Sequence, residues 1–306
     1  MIRDNYKRIV LLLLLMLIYK HNSLYGQQDP HYTQYTYNMG IINPAYIATK
    51  EALNVSLLAR SQWVGVEGAP QTATFSLSSP VGRNVGLGLS VIHDEIGPVL
   101  ENNIYADFSY TLKLSESSRL ALGLKGGITF LDVELLNPNE ESDPLNEPVH
   151  TLSPNFGAGA FYFTNKFYLG FAIPNMLETR HLEKSGEAVS TAAEISHLFL
   201  TSGFVFDLSD HLQFKPSTMV KAAIGAPVSV DLSANLWINQ KFEVGVSFRF
   251  EDSLSSVVGF NVTPDFRIGY AYDHTLSGIG NYNAGSHEVM LSYTFNRSRI
   301  KSPRFF

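Results

Sequence analysis

From Ala52 onward the chain alternates apolar residues with polar or small ones at a period of two, almost without a break. Val228, Val230, Leu232, Ala234 and Leu236 alternate with Ser229, Asp231, Ser233 and Asn235. Phe242, Val244, Val246, Phe248 and Phe250 do the same with Glu243, Gly245, Ser247 and Arg249, and Val289, Leu291, Tyr293 and Phe295 with Met290, Ser292 and Thr294. Successive side chains of a strand point to opposite faces, so each run reads as a strand with one greasy face and one polar or small face. Fourteen such runs can be marked, from Ala52–Trp63 to Ser286–Asn296, with Asn84–Asp94, Pro154–Thr164 and Ser196–Asp207 among them.

A soluble sandwich also alternates. Two details favour a membrane barrel. The polar face carries Lys125, Asp231, Glu243, Arg249, Arg267 and Asp273 in mid-strand, together with many glycines, and so reads as a wet interior. The apolar face often ends in Tyr or Phe, which suits aromatic girdles at the two membrane interfaces. Charged residues make up 16% of the chain, below the roughly 25% of ordinary soluble domains. Overall hydropathy is nonetheless balanced, as expected when half of each strand meets lipid and half a polar lumen. The expected fold is therefore an all-β transmembrane antiparallel barrel of about 14 strands over residues 52–296.

The connections carry a second pattern. Those after even-numbered strands are mostly short, such as Pro80–Arg83, Ser115–Ser117 and Gln240. Those after odd-numbered strands are generally longer: Val64–Ala69, Glu95–Val99, Glu134–Ser153, Pro174–Ile195 and His274–Gly285. Outer-membrane barrels have short periplasmic turns and longer extracellular loops, so both mature termini are expected in the periplasm.

The first 26 residues read as a signal peptide. Arg3, Lys7 and Arg8 precede the apolar run Ile9–Tyr19, which falls well short of the about 20 residues a spanning helix needs. Residues 27–51 do not alternate and form either a plug in the lumen or a lead-in along the periplasmic mouth. Tyr32, Tyr35, Tyr37 and Tyr46 favour an ordered, buried segment, because their rings gain by burial when the hydroxyls are bonded. The basic residues 297–306 form a periplasmic tail.

Much chemistry is disfavoured. There is no cysteine, hence no disulfide framework or thiolate site. The net charge is −6 with no basic tract, so nucleic acid is not an expected partner, whereas outer-membrane lipid is. No phosphate-binding, nucleophile-elbow or zinc-protease motif occurs. A lipid hydrolase would need a serine, a histidine and an orienting Asn or Asp on the outer wall. His93, His274 and His287 are the histidines near the expected extracellular strand ends, and nothing in the spacing pairs them. His93, Asp94 and Glu95 read as a solvated loop cluster, and Glu140, Glu141, Asp143 and Glu147 as a solvated acidic loop. No enzyme activity, cofactor or metal is expected.

The rim offers one candidate surface. Trp63 falls where the first strand ends, followed by Gly65 and Gly68, which permit a tight loop. Trp63 can serve as an interface anchor or as part of a docking surface. Gly278, Asn281 and Tyr282 precede the last strand. First and last strands are neighbours in a closed barrel, so the two loops form one candidate client-docking surface.

Several collinear segments resemble a known family. They are QDPHYTQY and NPAY in residues 28–46, RSQWVGVEGAPQT at Arg60–Thr72, VGLGLSVIHDEIGP at Val85–Pro98, SPNFGAGAFYFTNKFYLGFAIPNMLE at Ser153–Glu178, VFDLSDHLQFKPSTMVK at Val205–Lys221, and RIGYAYDHT with GNYNAGSHEVMLSYTF at Arg267–Phe295. In order and spacing the chain resembles the PorP/SprF family of the type IX secretion and gliding-motility system. The resemblance implies an outer-membrane barrel similar to long-chain-fatty-acid-transporter-like barrels, and no enzyme activity. It implies a role in exporting, or holding at the surface, an adhesin with a type IX C-terminal sorting domain. A periplasmic peptidoglycan-binding protein is a further partner that it implies. An outer-membrane porin or small-solute transporter is the alternative.

Overall fold

The computed structural model describes residues 31–49, 52–133, 149–177, 196–223 and 226–295. The expected signal peptide, the acidic residues Glu140 to Glu147 and the tail 297–306 lie outside the described residues.

Fifteen strand segments form one antiparallel sheet: β1 Asn54–Ser61, β2 Gln71–Pro80, β3 Val85–Ile96, β4 Val99–Lys113, β5 Arg119–Val133, β6 Val149–Phe163, β7 Phe167–Ile173, β8 His197–Phe204, β9 Phe206–Ser209, β10 Leu212–Ala223, β11 Ser229–Ile238, β12 Phe242–Arg249, β13 Ser253–Asn261, β14 Phe266–Thr275 and β15 Ser286–Thr294. Apart from β8 and β9, each pairs with its sequence neighbours, and β15 pairs back onto β1 with Leu57 opposite Leu291. β8 and β9 both pair with β10 and are halves of one wall strand, interrupted at Val205. The wall is thus a closed barrel of 14 strands. Closure is what a membrane demands, because an open edge would leave backbone donors and acceptors with no water to bond.

Burial along each strand is inverted relative to a soluble sandwich. The polar members of the alternation are buried: Arg60, Lys125, Asp231, Glu243, Arg267 and Glu288 are all shielded. The apolar members Leu57, Leu89, Leu124, Val246, Val258 and Val289 point outward and are exposed. Among the described strand residues, exposed charged side chains sit toward strand ends, as at Glu95, Lys113, Arg119 and Asp207. Aromatic pairs mark both rims. Phe204–Phe206, Phe242–Phe260 and Tyr293–Phe295, with ring centroids 4.6, 4.9 and 4.7 Å apart, stand at the short-turn end. Phe248–Phe250, at 4.9 Å, stands at the other. Aromatic girdles at the two interfaces flank the apolar band of a membrane barrel.

Three expectations need correction. β6 begins at Val149, not Pro154, and pairs with β5 along its whole length, Val149 opposite Val133. Proline reads as a strand start because it lacks a donor. Here the Phe156 carbonyl accepts from the Met176 amide, away from β5, and Pro154 two residues earlier shares that orientation, so its missing donor costs the β5–β6 ladder nothing. The connection placed at Glu95–Val99 is a two-residue turn, Gly97–Pro98, since Ile96 pairs with Val99. His93, Asp94 and Glu95 accordingly lie in β3 and not in a loop, with Asp94 buried and accepting the Thr72 hydroxyl at 2.5 Å while His93 faces outward.

The interior is filled. Residues 31–49 lie inside the barrel, with a four-residue helix Met39–Ile42 and a 3₁₀ segment Pro44–Thr49. Tyr32, Tyr35, Met39, Ile42, Ala45 and Tyr46 share one apolar core with wall residues including Tyr105, Phe161, Tyr168 and Met290. Thr33 and Gln34 meet β15, and the segment descends to the short-turn end, where the Thr111 hydroxyl donates to the Ala48 carbonyl. Several lumenal glycines are therefore seats for this segment. A Cβ on Gly86, Gly123, Gly159 or Gly269 would collide with Ala48, Ala45, Asn43 or Gln34, respectively.

Candidate functional site

The rim surface grows out of the β1–β15 pairing. Ser61 is opposite His287, the last paired residue of β1. Beyond it the two loops continue to bond: the Val64 amide donates to the Gly285 carbonyl at 2.9 Å, and the Ala284 amide to the Val64 carbonyl at 2.8 Å. The Trp63 amide donates to the Ser286 hydroxyl at 3.2 Å. Trp63 takes φ +44, a left-handed conformation unfavourable for a bulky L residue, and the cross-loop bonds hold it there. Gly65 and Gly68 take φ +99 and +70, which glycine adopts without steric cost. The Gly68 carbonyl accepts the Gly97 amide at 2.9 Å, so the β3–β4 turn joins the same surface.

The six sequence candidates therefore share one end of the barrel. Gly278, Asn281 and Tyr282 lie in the 3₁₀ turn Gly278–Tyr282, and Tyr282 is 78% exposed. Gly278 makes no close approach and has ordinary backbone. The residue that shapes this loop is one the sequence reading missed, Asn283. Its side chain accepts from the Gly285 amide at 2.7 Å and the Thr275 hydroxyl at 3.2 Å, and donates to the Ile279 carbonyl at 2.6 Å. The Asn-x-Gly spacing is the available signal, because an Asn side chain commonly bonds the backbone two residues on. Ser286 and Gly285 were missed as well. Tyr272 braces the loop from outside, its hydroxyl donating to the Ala284 carbonyl at 3.2 Å.

Beneath the rim, side chains of opposite wall strands grip the inner segment. Arg60 of β1 reaches Asp273 of β14 at 2.7 Å and Glu288 of β15 at 3.2 Å, all three nearly inaccessible to solvent. The Thr33 hydroxyl donates to Asp273 at 2.8 Å, and the Thr33 and Gln34 amides donate to Glu288 at 2.9 and 2.8 Å. Arg267, paired with Glu243, lies between Tyr37 of the inner segment and Trp237 of the wall, 4.0 and 4.6 Å from their ring centroids. On the opposite wall the Lys125 ammonium donates to the Ile41 carbonyl at 3.1 Å, and the Asn43 amide donates to the Ala160 and Phe171 carbonyls at 3.1 and 3.3 Å. Burying this many charges is tolerable only because each is paired or hydrogen-bonded. Alternation identified these groups as inward-facing. Their convergence on residues 33–43 is a matter of barrel register, which no local pattern encodes.

The three histidines considered for lipid hydrolysis are dispersed over the outer wall. His93 contacts Asn102 at 2.8 Å, yet its other cross-strand neighbour is Ala73, which offers no hydroxyl. His287 meets the Tyr270 hydroxyl at 2.7 Å, and His274 stands opposite Leu254.

No curated relative matches the chain. Solved structures with similar shape include Omp33, an Acinetobacter baumannii outer membrane protein, at 10% identity and TM-score 0.45, covering 80% of this chain and 98% of that one. A Pseudomonas aeruginosa FadL homologue matches at 14% identity and TM-score 0.47, covering 88% and 96%. The P. putida toluene transporter TodX matches at 11% identity and TM-score 0.49, covering 84% and 94%. The family model for the type IX secretion system membrane protein PorP/SprF matches residues 24–293, nearly the whole chain. On that match and the closed membrane barrel described above, the chain belongs to the PorP/SprF family of type IX secretion system membrane proteins.

Proposed function

We propose that this outer-membrane barrel is a closed platform that anchors, or supports export of, a secreted adhesin bearing a type IX C-terminal sorting domain. The client would seat on the rim surface of Trp63, Gly65 and Gly68 together with Gly278, Asn281 and Tyr282. The observation that carries this reading is the filled lumen: residues 31–49 occupy it and bond to β1, β5, β6, β7, β14 and β15. A porin needs a continuous polar path, and an inner segment bonded to so many wall strands weighs against one. A docking platform needs only a rigid rim, which the cross-loop bonds supply. The long-loop end would face the cell exterior and the carboxyl end of β15 the periplasm. A peptidoglycan-binding partner would then meet the short-turn end.

Two measurements test the reading. In planar bilayers the purified barrel is expected to give no steady open current, and sustained channels would favour the solute transporter. In cells, Trp63→Ala combined with deletion of Gly278–Ala284 is expected to release the adhesin from the surface while the barrel still inserts. Unchanged surface retention would remove the rim from the mechanism.

A further inference from the structure

The rim surface and one end of the plug are built on the same three strands. β1 carries Arg60 inward and leads three residues later to Trp63. β14 carries Asp273 inward and ends at Thr275, whose hydroxyl donates to Asn283 of the rim loop. β15 carries Glu288 inward, and two residues before it Ser286 accepts the Trp63 amide. Arg60, Asp273 and Glu288 are the groups that close on Thr33 and Gln34. Residues two apart on a strand share a face and are linked by two planar peptides, so displacing one tilts the other. The lower half of the plug is held differently. Lys125 and the Asn43 contacts belong to β5, β6 and β7, which contribute no residue to the rim surface.

We propose that the rim and the Thr33–Gln34 end of the plug form one coupled unit. Movement of Trp63 or Asn283 is transmitted through Ser286 to Glu288 and through Thr275 to Asp273, and it loosens or tightens the grip on the plug. The biological use of this coupling rests on the reading of the rim as a docking surface, because a seated client would then be sensed inside the barrel. The coupling itself can be tested without a client.

The test is amide hydrogen exchange on the full barrel in detergent, comparing peptides that cover Thr33–Gln34 with peptides that cover Asn43–Ala45. Ser286→Ala and Asn283→Ala each remove rim hydrogen bonds without touching the plug. Each is expected to speed exchange at Thr33–Gln34 by roughly fivefold, the effect of losing about 1 kcal/mol of local protection. Asn43–Ala45 should stay unchanged, and Ser286→Thr, which keeps the hydroxyl, should behave as the parent protein. Unaltered exchange at Thr33–Gln34, or equal acceleration at both ends of the plug, would overturn the proposal. Loss of surface retention with no exchange effect would leave docking intact and coupling refuted. The converse pair of results would leave coupling intact and docking refuted.

Discussion

Gly123 of β5 faces Ala45 of the inner segment so closely that a Cβ at position 123 would overlap the Ala45 amide. The glycine is thus a seat for the plug. Replacing it by valine forces either the plug or the strand to move, at a cost of about 1–3 kcal/mol for overpacking. Gly123→Val is expected to lower the thermal midpoint of the barrel, followed by its electrophoretic shift on heating, and to admit ion current in bilayers. Gly278→Ala, at a position with open space around it, is the control and should do neither.

The Arg249 guanidinium grips Asp231 through two bonds, Nε to Oδ1 at 2.8 Å and Nη2 to Oδ2 at 2.9 Å, in the buried interior. Arg249→Met leaves a buried carboxylate without its cation, a loss of about 3–5 kcal/mol. The double change Arg249→Met with Asp231→Leu removes both charges and should recover most of that loss. Urea unfolding in lipid vesicles reads the difference, and a double variant no more stable than the single would contradict the burial of the pair.

Leu124 and Lys125 are consecutive and face opposite sides of the wall, Leu124 62% exposed and Lys125 3%. Leu124→Arg puts a charge on the lipid face, which costs about 2–4 kcal/mol near the bilayer midplane. The variant is expected to insert poorly, scored by its yield of folded protein in the outer membrane. Leu114→Arg, in the exposed turn after β4, should insert normally.

Trp63 separates the docking role from an anchoring role. Its left-handed backbone costs roughly 1–2 kcal/mol for an L residue, a cost glycine avoids. Trp63→Gly should therefore leave unfolding stability unchanged or slightly raised while adhesin retention at the surface falls. A fall in stability with retention preserved would identify the indole as an interface anchor alone.

The sequence determined the architecture of the wall and not the contents of its interior. Period-2 alternation such as Phe242 to Phe250 is a local property of one strand, so strand identity, the greasy face and the count of fourteen were legible residue by residue. The adjacency of the loops that carry Trp63 and Tyr282 followed from closure, since first and last strands must meet. Arg60, Lys125 and Arg267 could be read as inward-facing, yet not as partners of Thr33, Ile41 and Tyr37, because strands far apart in the sheet converge on the lumen only at the register set by the closed wall. The start of β6 at Val149 and the two-residue turn at Gly97–Pro98 depended likewise on pairing with a neighbouring strand. Alternation fixes which way a side chain points, and three-dimensional register alone decides what it meets.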